Sequence, residues 1–104
     1  MKLGLKKDVV FTPSQAIVDV LPTVLHAYKF FTAVENVIIT SGNDSKHMRG
    51  SKHYVNDAID LRVWGLSALE RTRVVTFLQV TCGRDYDVLD EIRKNHIHLE
   101  YDRK

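Results

Sequence analysis

Two segments of the chain alternate between apolar and polar side chains, and this alternation constrains the fold more than any other feature. In Ala58–Trp64, Asp60 lies between the aliphatic residues Ile59 and Leu61. In Asn95–Tyr101, His96 and His98 alternate with Ile97 and Leu99. Because successive side chains of a strand point to opposite faces, both segments are predicted to be strands with one apolar and one polar face. If the apolar faces pack on helices, Asp60, His96 and His98 all project from the other face of the sheet.

The remaining segments predict helices and at least one further strand. Thr12 is predicted to cap a first helix, which Pro22 would kink or divide because proline removes a backbone donor. Ser67 and Glu70 have the spacing of a capping box and predict the start of a second helix. Asn36–Thr40 is short and β-branched, as strands are. This order of elements predicts an α+β fold, with helices packed on one face of a mostly antiparallel sheet.

Composition bounds the class of protein. With 104 residues, 44% of them hydrophobic and 27% charged, the chain is predicted to form one globular domain over residues 1–104. A net charge of +2 is too small to imply a nucleic-acid partner, and the single cysteine excludes an intrachain disulfide. No apolar run approaches the roughly seven residues of a signal peptide or the roughly 18 of a membrane span. We therefore expect a cytoplasmic product without membrane insertion.

The histidines and acids of the alternating segments suggest a metal site. His53 and Asp60, with His96 or His98, would supply imidazole nitrogens and a carboxylate oxygen to one zinc ion and leave a position for water. Zinc lowers the pKa of a bound water, and an acidic residue must then take its proton. The same spacings also arise by chance in proteins without metal, so a metal-free domain that binds an anionic partner stays open.

A polar segment separates the predicted strands. Ser41–Lys52 contains glycines and a cluster of basic residues, and it is predicted to be a long surface loop. Such a run is most often a solvated loop. As a functional element, its cations would hold an anionic substrate.

The residues around Asp60 resemble a known motif. Ser51-x-His53-x-x-Asn56-x-Ala58-x-Asp60 resembles the S-x-H-x-x-G-x-A-x-D signature of the zinc D-Ala-D-Ala carboxypeptidases and L-alanyl-D-glutamate endopeptidases. Hedgehog signalling domains share that fold and zinc arrangement. His96-Ile97-His98 resembles the closing H-x-H strand of the superfamily, and Ile39-Thr40-Ser41-Gly42 resembles the strand and turn before the signature. Small phage-encoded members are the most similar in length.

The resemblance implies a role for each matching residue. His53, Asp60 and His98 match the zinc ligands. His96 would lie beside the metal and contact the substrate or the transition state. Ser51 would brace the site through a hydrogen bond.

The chain departs from the family pattern at three places. Asn56 replaces the family glycine, and asparagine is the residue that next best tolerates a positive φ. The family arginine after the S-G turn is absent, so that Arg49, Lys46 or His47 would have to bind the substrate carboxylate or the oxyanion. The family's acid lies a few residues before the H-x-H pair. Glu91 is the candidate for this role, with Asp90 second.

The resemblance implies a zinc metallopeptidase that hydrolyses the stem peptides of peptidoglycan, as a D-Ala-D-Ala carboxypeptidase or an L-Ala-D-Glu endopeptidase. A phage endolysin, released to the cell wall by a holin, is the setting that this implies. The alternative within the same fold is a zinc-stabilised binding or structural module without catalysis.

Overall fold

The computed structural model describes residues 1–42 and 56–104, which form five strands and two helices of an α+β fold. The predicted fold class is confirmed. A 3-10 turn, Ile92–Lys94, joins the last two strands. In chain order the elements are β1 (Lys2–Leu5), α1 (Gln15–Phe31), β2 (Asn36–Ser41), β3 (Ala58–Arg62), α2 (Ala68–Cys82), β4 (Tyr86–Glu91) and β5 (His96–Tyr101).

The strands form one mostly antiparallel sheet in the order β1-β2-β3-β5-β4. β1 and β2 are parallel, and the other neighbouring strands of the described residues are antiparallel. In the pairing of β3 with β5, Asp60 lies opposite His98 and Arg62 lies opposite His96. In the pairing of β4 with β5, Glu91 lies opposite His96. This register brings together side chains that are far apart in the sequence.

The core lies between the helices and one face of the sheet, called here the helix face. Ile59, Leu61, Ile97 and Leu99 are all at most 1% exposed, as their alternation predicts. Burying each such side chain contributes roughly 1.5–3 kcal/mol, so this face supplies much of the driving force for folding. The opposite face, called the polar face, carries the side chains that alternate with these, among them Asp60 and His98. Helix residues in the same core cluster include Ile17, Val24, Tyr28, Val74 and Leu78.

For α1, the expected N-cap is wrong, and so is one of the two expectations for Pro22, the division of the helix. Its N-cap is Ser14, whose side-chain oxygen accepts a hydrogen bond from the Ile17 amide at 3.4 Å, and not Thr12. Pro22 lies inside one uninterrupted helix and does not divide it. Proline frees the carbonyl four residues earlier, at Val18, which lies on an exposed part of the helix where water can bind that oxygen.

The second helix begins and ends as predicted. The Ser67 hydroxyl accepts from the Glu70 amide at 3.1 Å, and the Glu70 carboxylate accepts from the Ser67 amide at 2.8 Å. Gly83 follows the last turn with a φ of 87°, a left-handed conformation that favours glycine. Neither α1 nor α2, the helices of the described residues, is long and apolar enough to cross a membrane.

Candidate metal centre

Four of the residues predicted for the site meet on the polar face. Asp60 comes from β3, Glu91 ends β4, and His96 and His98 both lie in β5. Glu100, which follows in β5, also contacts His98. These five residues are called here the His–carboxylate cluster. The three strands are neighbours in the sheet, so the cluster rests on backbone pairing.

His98 lies between two carboxylates. Its Nδ1 is 2.8 Å from Asp60 Oδ1, and its Nε2 is 2.8 Å from Glu100 Oε1. Both contacts are hydrogen bonds only when both ring nitrogens carry protons, which is the imidazolium form. Burial lowers the pKa of His98, but the hydrogen bonds to Asp60 and Glu100 outweigh it and raise that pKa above its ordinary value. The two carboxylates therefore make His98 hold a proton more tightly than an ordinary histidine does.

His96 and Glu91 form the second contact of the cluster. His96 Nε2 is 2.8 Å from Glu91 Oε1 and 3.6 Å from Asp60 Oδ1. The same Glu91 oxygen is 3.9 Å from His98 Nδ1. Lys94 approaches the other Glu91 oxygen at 3.6 Å, but its exposed ammonium is screened by solvent. One carboxylate oxygen of Glu91 thus reaches both imidazoles.

Glu91 reaches the cluster through the hairpin that joins β4 and β5. The 3-10 turn after β4 reverses the chain, and Asn95 closes this turn with a left-handed backbone. Glu91 then lies directly opposite His96. Side chains opposite each other in an antiparallel pair lie about 4.5–5.5 Å apart at Cβ, which lets their polar ends meet.

The residues of the cluster fit a zinc ion. Asp60, Glu91 and His96 each offer an atom within 4.8 Å of the others. Imidazole nitrogen and carboxylate oxygen are ligands that zinc takes, and tetrahedral ligands at about 2.0–2.2 Å from the metal lie about 3.4 Å apart. Asp60 Oδ1 lies 3.6 Å from His96 Nε2, which is close to this value, and 2.8 Å from His98 Nδ1, which is a hydrogen-bond distance. His98, the predicted ligand, is not in the group of Asp60, Glu91 and His96. Small side-chain shifts would therefore admit the metal.

His98 has the setting of a metal-binding imidazole. Its Nδ1 faces Asp60, while Glu100 holds its Nε2. Imidazoles that bind metals usually donate their other ring N–H to a carboxylate or a carbonyl, which orients the ring. His96 also reaches Asp60, so the division of roles between the two histidines stays a prediction. Sequence reasoning gave Glu100 no role, although its alternation with His98 already places both on one face.

Asp90, the second candidate for the catalytic acid, lies away from the cluster. Its Oδ2 accepts a hydrogen bond from Arg71 Nε of α2 at 3.0 Å. Asp90 precedes Glu91 in β4 and therefore points to the helix face. Within the described part of the chain, Glu91 is the candidate acid that the fold brings to the histidines.

A second acidic group on the sheet already contains a cation. Asp87, Glu100 and Asp102 offer oxygens within 4.8 Å of one another. Lys104 Nζ lies 3.0 Å from Asp87 Oδ1 and 3.5 Å from Asp102 Oδ2. This ammonium takes the place that a metal would need.

Several predicted site residues lie outside the described residues: His53, Ser51, Arg49 and His47. At the edges of that segment, the backbone restricts which residue types fit at two positions. Asn56 has a φ of 62°, so the expectation that asparagine adopts the left-handed backbone in place of glycine is confirmed. Gly42 runs so close to the Val10 carbonyl that a Cβ atom there would clash.

No protein-family model, curated protein or solved structure matches this chain. The likeness to zinc peptidases therefore rests on the motif residues.

Proposed function

We propose that this protein is a zinc-dependent peptidase that hydrolyses an amide bond in the stem peptides of peptidoglycan. The observation that carries the proposal is the convergence of Asp60, Glu91, His96 and His98. Asp60 and His98 are 38 positions apart in the sequence, yet they pair at 2.8 Å. Two imidazoles with two carboxylates form a donor set suited to zinc hydrolases.

The residues of the chain divide the work as follows. Asp60 and His98 would hold the zinc together with His53, and Glu100 would orient His98 through its Nε2. A bound zinc supplies a Lewis acid that polarises a carbonyl and lowers the pKa of water. The hydrogen bond from His98 to Glu100 also increases the basicity of the imidazole.

Glu91 is the proposed general base. Its side chain is 27% exposed, so a water molecule can reach the carboxylate. Glu91 takes the proton of the attacking water and returns it to the leaving amine. His96, in contact with Glu91, donates a hydrogen bond to the oxyanion that develops on the carbonyl oxygen.

Digestion of defined muropeptides by the zinc-loaded full chain tests the proposal, with mass spectrometry of the products. The wild type is expected to release an amine by cutting one stem-peptide amide, and Glu91→Gln to lose about 100-fold or more of the rate. Glu35→Gln, which removes an exposed acid away from the cluster, is expected to act as the wild type does. Absence of cleavage by the wild type would contradict the proposal.

One observation favours a second candidate, a zinc-stabilised module without catalysis. Glu91 pairs with His96 at 2.8 Å and has Lys94 at 3.6 Å, so its carboxylate has structural partners without a role in catalysis. For such a module, one zinc per chain would raise the melting temperature while no muropeptide is cut.

A further inference from the structure

Arg62 lies at the border of the His–carboxylate cluster. It is the last residue of β3, two positions after Asp60, and it therefore shares the polar face. His96 lies directly opposite in β5. Side chains in such a pair start about 4.5–5.5 Å apart, so Arg62 borders the site that the proposed reaction needs.

The guanidinium of Arg62 has no acid as a partner within the described part of the chain. Its Nε is buried and has no hydrogen-bond acceptor. The nearby carboxylates bind elsewhere, since Asp60 and Glu100 pair with His98 and Glu91 pairs with His96. An arginine on the same face of a sheet as several carboxylates would ordinarily pair with one of them, so the absence of such a pair among the described residues needs a cause.

Trp64 supplies that cause. Arg62 Cζ lies 4.0 Å from the centroid of the Trp64 ring, which is a cation–π stack. Trp64 is 68% exposed, so the stack faces solvent and is not part of the core. The ring holds the guanidinium on the polar face by this contact. The terminal N–H groups of the guanidinium, unlike the buried Nε–H, are the ones that an acceptor from solvent can meet.

We propose that Arg62 and Trp64 form a subsite that binds the carboxylate of a ligand. A carboxylate matches the planar fork of arginine with two parallel hydrogen bonds. The acids of the cluster repel such a group from the centre of the site, while Arg62 attracts it to the border. The ligand carboxylate would also complete the hydrogen bonding of a cation that the fold leaves unpaired.

The position of Arg62 also limits the substrate class. This step rests on the proposed function, whereas the carboxylate subsite does not. An extended peptide advances about 3.3–3.6 Å per residue, so a carboxylate at Arg62 lies about one or two residues from an amide at the cluster. The subsite therefore favours peptides with a free carboxylate close to the cut bond, which is the carboxypeptidase type of cleavage.

Nuclear magnetic resonance of the nitrogen-15-labelled full chain tests the subsite directly. The probes are N-acetyl-D-alanine and its uncharged amide, each titrated with and without zinc. The carboxylate probe is expected to shift the Arg62 Nε–H signal and the Trp64 indole signal saturably, and the amide to shift neither. Loss of a charged hydrogen bond weakens binding about tenfold or more, and Arg62→Gln is expected to show this loss.

Two further variants separate the subsite from a general effect of charge. Arg62→Lys keeps the charge but loses the planar fork, and it is also expected to bind the probe more weakly. Arg73→Gln removes an exposed arginine on α2, and it is expected to bind as the wild type does. If Arg62→Gln does not fold, the titration of the wild-type Nε–H signal and the binding by Arg62→Lys test the subsite instead.

Equal shifts with both probes, no shift with either, or an equal loss in Arg73→Gln would overturn the subsite. Cleavage of muropeptides without carboxylate binding at Arg62 would remove the subsite and leave the proposed function intact. Probe binding at Arg62 without any cleavage of muropeptides would support the subsite and contradict the proposed function.

Discussion

Asp90 and Glu91 are neighbours in β4, yet they belong to two different kinds of surface. Asp90 points to the helix face and pairs with Arg71, a permanent cation on α2. Glu91 points to the polar face and pairs with His96, an imidazole that is also within reach of Asp60. The helix face is held mainly by buried apolar area, which is nearly indifferent to pH and metal. The polar face is held by groups that exchange protons and can exchange a proton for a metal ion. The helix face therefore supplies most of the stability of the sheet, while the polar face carries the groups that can bind protons or a metal ion.

The largest expected effect is on the helix face. Leu61 is fully buried, and Leu61→Ala is expected to lower the free energy of unfolding by about 2–5 kcal/mol, because it removes apolar contacts and leaves a cavity. Denaturant unfolding measures this loss. The zinc affinity of the folded variant is expected to stay within a few-fold of the wild type. A large drop in that affinity would show that the two faces are coupled.

Glu100→Gln is expected to have the next largest effect, on metal affinity. Loss of the carboxylate that orients His98 lowers zinc affinity by about 10–100-fold, which competition with a chelating dye measures. Asp87→Asn serves as the control, because it removes a neighbouring carboxylate that binds Lys104 instead. An equal loss in both variants would assign the effect to charge alone.

Arg71→Met tests the ion pair of the helix face. It leaves the carboxylate of Asp90 without its partner, and the other oxygen of Asp90 is already buried without one among the described residues. The expected loss in unfolding free energy is about 1–2 kcal/mol, with zinc affinity unchanged. If Asp90 serves as the catalytic acid, this variant would lose peptidase activity in proportion far beyond its loss of stability.

The smallest effect is on the pH dependence of stability. The pKa of His98 is raised in the folded protein, so its contribution to the stability of the metal-free protein is complete at acidic pH. That contribution disappears as pH rises from the ordinary histidine pKa through the raised one. With zinc present the slope should reverse, because zinc binds the deprotonated ring. The free energy of unfolding, measured at several pH values with and without zinc, gives both slopes. His98→Gln serves as the variant that lacks the contribution of this imidazole.

Local patterns in the sequence predicted much of the fold. The alternation around Asp60 and His98 correctly divided the polar residues from the core, and the Ser67–Glu70 capping box correctly started α2. These succeed because strand period and helix capping depend on residues a few positions apart. The start of α1 at Ser14 was missed, since Thr12 and Ser14 are both good caps and tertiary packing selects between them. Strand β1 was missed because Lys2–Leu5 is short and becomes a strand only by pairing with β2.

The sequence by itself determined which residues can share a face, and its motif named Asp60 and His98 as partners. Only the tertiary structure decided that Glu91 joins them, that Asp90 does not, and that Arg62 lies against Trp64. The physical reason is that the face to which a side chain points alternates with every residue along a strand, so the local sequence sets it. The register between strands depends on turn geometry and on pairing between segments that are distant in the sequence.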